Sequence, residues 1–279
     1  MRRTMMGRSH ALSGWVLGLA VAPMVGLTSV AEVVPFAAAT AGYALVPDLD
    51  HPGGSASRLL GPVTGLISSA IRTFSGLLYR LTKGPRDEDS TGKHRHATHT
   101  LAAAIGLGIL AGSLGDRGKW AVLAVAVTGL LLAAHVLGDW LLITVLGAAA
   151  YSVFGTALPG TTPADALQAG LSGIGGWIGV AVGLGMFTHC LGDSLTRSGC
   201  PWLWPLPIRG ETWYEIRLPR LLRFSTNSWV ERLVVVPALL VAGVLLLPGV
   251  FPFVLSTFSE GSATQSVHRI FSGLFSWNV

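Results

Sequence analysis

Trp120-Ala121-Val122-Leu123-Ala124-Val125-Ala126-Val127-Thr128-Gly129-Leu130-Leu131-Leu132-Ala133-Ala134-His135-Val136-Leu137 contains no Asp, Glu, Lys or Arg, and Gly138-Asp139 ends it. A run of this length and polarity is about what a helix needs to cross hydrocarbon, where ~20 apolar residues span the core. The rest of the chain has the same character. Hydrophobic residues make up 51%, DEKR 12%, and the mean hydropathy is +0.58, whereas a soluble domain carries about 25% charged residues. The composition therefore excludes an ordinary soluble protein. The fold class expected is all-α, a polytopic transmembrane helical bundle.

Comparable segments lie at 11–30, 33–46, 97–114, 141–158, 167–191 and 230–258. With the quoted run they predict about six to seven spans. The sequence reads as one integral-membrane helical domain over 1–258, with loops at 53–96 and 193–229 and a tail at 259–279. Segment 33–46, with Pro35 near its start, reads as a full crossing or as a tilted or re-entrant helix. Segment 141–158 follows its predecessor so closely that it needs a tight turn at Gly138-Asp139. Thirty-six glycines suit close helix packing. The N-terminal Met1-Arg2-Arg3-Thr4 resembles the start of a signal peptide, but no small-residue cleavage site follows, so 11–30 is read as a retained span. Cys190 and Cys200 show neither metal-knuckle spacing nor a disulfide framework.

The positive-inside rule assigns an orientation. With a cytoplasmic N-terminus and seven spans, sixteen Lys and Arg fall on the cytoplasmic side and only Arg117, Lys119 and Arg269 on the other. The threading has a second consequence. His10, Pro47-Asp48-Leu49-Asp50-His51-Pro52, His94-Arg95-His96-Ala97-Thr98-His99, His135 with Asp139, and His189 with Asp193 all reach that same face. His268 falls on the opposite one.

Imidazole and carboxylate together suit Zn, Mn, Fe or Ni, whereas Ca would want oxygen ligands alone. His189 and Asp193 lie four residues apart, on one helical face, and His135 and Asp139 repeat the spacing. Asp48 and Asp50 occupy a turn stiffened by Pro47 and Pro52. His94 and His99 bracket a helix start for which Thr98 is a candidate N-cap. The expected metal ligands are His10, Asp48, Asp50, His94, His99, His189 and Asp193, more than one tetrahedral zinc needs. A divalent ion is therefore expected, zinc first and manganese second, as one ion or as a pair that stabilises the attacking and leaving oxygens of a displacement.

Bland readings stand beside each of these. A single interfacial His is ordinarily a polar anchor, Asp48 and Asp50 suit a plain helix-ending turn, and His135 with Asp139 suits a helix-end or outer-shell pair. His96 fits a solvated position. Arg197 is expected either to hold a phosphate or carboxylate or simply to pair with Asp193. Asp50 and His51 are the candidate proton carriers. Residues 59–81 place Leu66, Ile67, Ala70, Ile71, Phe74, Leu77, Leu78 and Leu81 at helical spacing beside Arg58, Arg72, Arg80 and Lys83, which suits a helix lying in the membrane interface. Residues 83–93 read as a solvated charge run. Phosphate-binding glycine loops, a serine-hydrolase elbow and nucleic-acid-binding motifs are absent, so membrane lipid is the expected partner and nucleic acid is not.

Four blocks also carry a resemblance. Met6-Gly7-Arg8-Ser9-His10-Ala11-Leu12-Ser13-Gly14, Leu45-Val46-Pro47-Asp48-Leu49-Asp50-His51-Pro52, His94 to Thr100, and His189 to Gly199 followed by Leu203-Trp204-Pro205-Leu206 resemble the ordered signature blocks of the YdjM-like family. That family consists of inner-membrane, predicted metal-dependent hydrolases, some under LexA control. The resemblance covers Met6 to about Pro207. It departs at His96, where the family commonly has glycine, and at Thr100, which replaces serine. It implies metal or catalytic roles for His10, Asp48, Asp50, His51, His94, His99, His189 and Asp193. A fainter similarity to zinc-dependent phospholipase C implies a phosphoester substrate.

The function expected is a membrane-bound, metal-dependent hydrolase. It would act at the cytoplasmic face on an ester or phosphoester of a lipid or amphiphile, through a metal-activated water. The alternatives are a divalent-cation transporter and a non-catalytic metal-binding membrane protein. Transport would call for polar residues through the full membrane depth, and outside the clusters the segments are nearly free of charge.

Overall fold

A helix that is apolar on every side has to be enclosed on every side, and Val30–Tyr43 is such a helix: Val33, Val34, Phe36 and every residue from Ala37 to Tyr43 are buried. The computed structural model describes residues 5–54, 56–155, 162–220, 223–225 and 227–258. Its helices are α1 (Met5–Val21), α2 (Val30–Tyr43), α3 (Pro62–Thr82), α4 (Leu101–Ser113), α5 (Lys119–Leu137), α6 (Trp140–Ala150), α7 (Pro163–Ser194), α8 (Val236–Leu245) and α9 (Val250–Phe258). Helix α2 packs against α1, α5, α6 and α7, while α7 also meets α4 and α8 packs on α1. The fold is all-helical, and among the described residues β-pairing is limited to isolated bridges.

Lipid tails are as apolar as Leu, so helix association in a membrane depends on close packing more than on hydrophobic burial. The α2–α5 contact shows how close. A Cβ on Gly42 would stand 1.8 Å from the Gly129 carbonyl oxygen. Beside it the Tyr43 hydroxyl donates to the Val125 carbonyl at 2.9 Å, tying the two helices at one depth.

Among the described residues three helical stretches are long and apolar enough to cross a membrane: Val30–Asp50, Lys119–Leu137 and Pro163–Ser194. A fourth crossing results if Glu231–Leu245 and Val250–Ser256 count as one span bent by 86°. Pro248 and Gly249, with Gly249 at φ 81°, make that break. The six to seven spans expected exceed this count because α4 and α6, with 13 and 11 residues, fall short of a full crossing length and α1, with 17, stands at its lower bound. Segment 33–46 instead gains length, continuing through the 3-10 turn Pro47–Asp50. The tight turn after α5 is present, with Gly138 at φ 105°. The end of segment 141–158, the tail 259–279, His268 and Arg269 lie outside the described residues.

Helix α3 has two faces. Leu66, Phe74 and Leu81 are exposed, whereas Ser68, Ser75 and Tyr79 are buried. The buried face holds the loop that carries His94: Ser75 Oγ donates to the Gly92 carbonyl at 2.5 Å and accepts from the Ala97 N–H at 3.2 Å. The expectation of a solvated charge run over 83–93 fails at Asp87. Its buried carboxylate accepts from the N–H groups of Gly84 at 2.7 Å and Trp213 at 2.9 Å, so it staples this loop to the one after α7. Thr98 does not cap α4; Thr100 does, accepting from the Ala103 N–H at 3.1 Å. Thr98 is thereby free for the polar centre.

Candidate metal centre

The ends of four elements deliver the polar side chains. His10 comes from α1, Asp48 and Asp50 from the turn closing α2, His94 and His99 from the segment entering α4, and His189 and Asp193 from the last turns of α7. They form two adjoining groups, Asp48 with Asp50, His94 and His99, and His10 with His189 and Asp193, whose candidate ligand atoms lie within 4.8 Å of one another in each group. All the expected ligand positions are thus brought together. His10, Asp50, His99, His189 and Asp193 are buried, while Asp48 and His94 keep side-chain exposures of 17% and 35%, which leaves the centre a polar mouth.

The tightest face joins the two groups. His189 Nε2 lies 3.1 Å from His99 Nε2, and Asp193 Oδ2 lies 3.6 Å from the second and 3.7 Å from the first. Four ligands on bonds of ~2.0–2.1 Å in a tetrahedron stand ~3.3 Å apart, so these three atoms already have the separation of ligands to one ion. Asp48 Oδ1 is 3.9 Å from His189 Nε2, and His10 Nε2 is 3.6 Å from Asp193 Oδ1. The His10 ring stacks on His189 at 3.9 Å and 22°. Gly192 makes room for it, since a Cβ there would stand 2.9 Å from His10 Nδ1.

The surrounding hydrogen bonds fix which nitrogens are bare. His189 Nδ1 is 2.8 Å from the Ala44 carbonyl, to which only an N–H can donate, so the Nε2 of a neutral ring carries a lone pair. His99 Nδ1 is 3.0 Å from Thr98 Oγ1, whose hydroxyl is 3.0 Å from Asp50 Oδ2. A hydroxyl has one proton, and the carboxylate can only accept it. Thr98 therefore donates to Asp50 and accepts from His99, whose Nε2 is then bare as well. Two lone pairs facing each other at 3.1 Å repel unless a cation stands between them. Asp193 adds to the demand: both carboxylate oxygens are buried without a hydrogen-bond partner. One Arg95 nitrogen faces this carboxylate at 3.1 Å, but a buried carboxylate that accepts no hydrogen bond is still costly. The donor set and its orphaned atoms fit a divalent cation.

Asp50 is occupied differently. Oδ1 meets His94 Nδ1 at 2.5 Å, and Oδ2 accepts from the Arg95 N–H and from Thr98, each at 3.0 Å. This carboxylate orients three neighbours. His51 belongs to neither group. Its Nδ1 accepts from the Gly53 N–H at 3.1 Å, placing the proton of the neutral ring on Nε2, and its ring meets His94 edge-on at 4.9 Å. Burial, then the neighbouring His94, holds its pKa below the usual imidazole value.

Other expected residues stand apart. His135 and Asp139 are both exposed and outside the groups. Arg197 is exposed, and the guanidinium beside Asp193 is that of Arg95, with Nη2 3.1 Å from Oδ1. Reach explains the difference: α7 ends at Ser194 and the chain turns away, whereas the 94–99 segment crosses directly over α7's last turn. His96 is packed, not solvated. Its ring lies against Tyr79 and Trp213, and burial lowers its pKa while the His94 carbonyl opposes that shift. With Tyr79, Glu88, Glu211, Trp213 and Arg217 it lines a cavity of about 520 Å³.

Sequence reading missed three contributors. The Ala44 carbonyl is backbone and leaves no trace in residue type. Cys200 donates its thiol to the His99 carbonyl at 2.9 Å, and the Trp202 indole donates to the Cys190 carbonyl at 3.1 Å. Their positions just after the His189–Asp193 block were the available signal.

An all-helical membrane protein with a buried His/Asp centre at the ends of its central helices is the class these features define. The family model described as YdjM inner membrane protein matches residues 5–144 and 141–257. The chain belongs to this family and is an inner membrane protein. No curated protein and no solved structure matches it.

Proposed function

We propose that the protein is a metal-dependent hydrolase of the inner membrane, acting on an ester or phosphoester bond of a lipid or amphiphile at the cytoplasmic face. The observation that supports it most is the face formed by His99, His189 and Asp193, with bare nitrogens 3.1 Å apart beside an orphaned carboxylate. These residues, with Asp48 and His10, would hold the ion, zinc in preference to manganese; a second would draw on the neighbouring group of Asp48, Asp50, His94 and His99. When bound, such an ion supplies Lewis acidity and acidifies water.

The chain's own residues supply the rest. Asp50 fixes the rings of His94 and His99, and Thr98 fixes the tautomer of His99. His51 presents a proton at Nε2 beside His94 and is the candidate carrier to a leaving group. The mouth at Asp48 and His94 admits the scissile bond. The apolar face of α3, exposing Leu66, Phe74 and Leu81, would hold the entrance against acyl chains.

The test is metal content of the purified protein together with hydrolysis of a lipid panel, in wild type, His189→Ala and Asp48→Ala. Metal and hydrolysis should be lost together. Wild-type metal content in both variants refutes the assignment of the centre. Metal flux into proteoliposomes without hydrolysis refutes the enzyme in favour of transport.

A further inference from the structure

Arg95 is a permanently charged group placed against the metal centre, and the structure leaves part of it unused. Its Nη1 is buried with no hydrogen-bond partner. Nη2 is 3.1 Å from Asp193 Oδ1, close enough for an ion pair, yet neither Asp193 oxygen is aligned to accept a hydrogen bond. The contact with Asp193 is thus one of charge alone. The main chain is committed to this position: Arg95 has φ 59°, a left-handed conformation that a side-chain-bearing residue seldom adopts, and its N–H is held by Asp50 at 3.0 Å. The side chain keeps 15% of its exposure, so a ligand can reach it.

We infer that Arg95 is the anion-binding arm of this centre and that the substrate is a phosphoester. The inference rests on the hydrolase reading and narrows it. A carboxylic ester is uncharged before reaction and gives a buried cation nothing to neutralise. A phosphoester is anionic before, during and after cleavage, and the guanidinium fork matches its oxygens with two parallel N–H groups. Charge agrees. Asp48, Asp50 and Asp193 carry three negative charges, so two divalent ions would leave one positive charge uncompensated, and Arg95 makes it two. Arg95 is then a binding residue for the scissile group, a role the sequence had pointed toward Arg197.

The test uses the full-length protein in detergent, metal-loaded and chelator-treated, titrated calorimetrically with inorganic phosphate and with dihexanoyl phosphatidic acid, in wild type, Arg95→Ala and Arg95→Lys. Wild type should bind both probes. Arg95→Ala should keep its metal and weaken phosphate by about tenfold or more, as expected for loss of a charged hydrogen bond; Arg95→Lys should weaken it less. Tighter binding of the phosphatidic acid supports a lipid headgroup, and binding of phosphate alone supports a soluble phosphoester. Unchanged phosphate affinity in Arg95→Ala overturns the inference, as does loss of metal in both variants, which would make Arg95 only a counter-charge for Asp193. A wild type that holds metal but binds neither probe overturns the inference and leaves the hydrolase reading standing. Arg95-dependent phosphate binding by a wild type that takes up no metal overturns the hydrolase reading alone.

Discussion

Replacing Thr98 by valine removes one hydroxyl and almost no volume, and it tests the hydrogen-bond argument for the metal centre directly. In the wild type the hydroxyl lies between His99 Nδ1 and Asp50 Oδ2, 3.0 Å from each. Without it, His99 Nδ1 has only the Asp50 oxygen 3.5 Å away, too long for a good hydrogen bond. The ring is then free to carry its proton on Nε2, the nitrogen that faces His189. Losing a partner that orients a metal-binding histidine typically weakens affinity about 10- to 100-fold, or roughly 1.4–2.7 kcal/mol. The assay is competition against a chromogenic chelator in detergent. Thr98→Val should raise the dissociation constant within that range, and Thr98→Ser should stay close to wild type. A Thr98→Val affinity within about twofold of wild type, a difference of only ~0.4 kcal/mol, would refute the chain of donors from His99 through Thr98 to Asp50.

Gly192→Ala puts a Cβ 2.9 Å from the His10 ring; displacing that ring should weaken metal binding by about tenfold, read with the same chelator. Gly42→Ala drives a Cβ to 1.8 Å from a backbone oxygen of α5, so it should destabilise the fold by about 1–3 kcal/mol, seen as a lower thermal midpoint in detergent. His135→Ala and Asp139→Ala, at exposed positions, should leave metal content unchanged and stability within about 0.5 kcal/mol; loss of metal in either would return that pair to the centre. Asp87→Asn weakens the acceptor for the Gly84 and Trp213 N–H groups and should cost about 1 kcal/mol while leaving metal affinity intact, which limited proteolysis of the 83–96 loop and chelator competition would check together.

Helix class was legible because composition alone sets the solvent, and the runs at 33–46, 120–137 and 167–191 each became part of a long helix. The His and Asp positions that the fold gathers were legible because such residues are costly in apolar surroundings, so their appearance beside apolar runs is informative. Span count was less so. Segments 97–114 and 141–158 are free of Asp, Glu, Lys and Arg, but hydropathy does not record that Thr100 starts α4 late or that α6 passes into the π-helical turn Tyr151–Gly155. The arginine was misplaced for a related reason. Arg197 is near Asp193 along the chain, whereas Arg95 reaches it across 98 positions of sequence, and only the fold reveals that path. The cap expected of Thr98 fell to Thr100, since either spacing suits a cap and the packing of α4 decides between them.

The bond from His189 to the Ala44 carbonyl has a consequence for how this centre would behave under mutation. Helix α2 ends at Tyr43, with Ala44 as its C-cap, so the Ala44 oxygen is left over from the helical ladder and is taken up by an imidazole of α7. On the α2 side the bond is made by backbone alone, so a scan replacing residues one at a time by alanine would register it only at His189 and never at the acceptor. Its strength depends on where α2 stops. A change that lengthens or shortens α2 by one residue, even one far from any ligand, would withdraw the acceptor and turn the His189 ring, so the helix boundary itself is inherited as part of the binding chemistry.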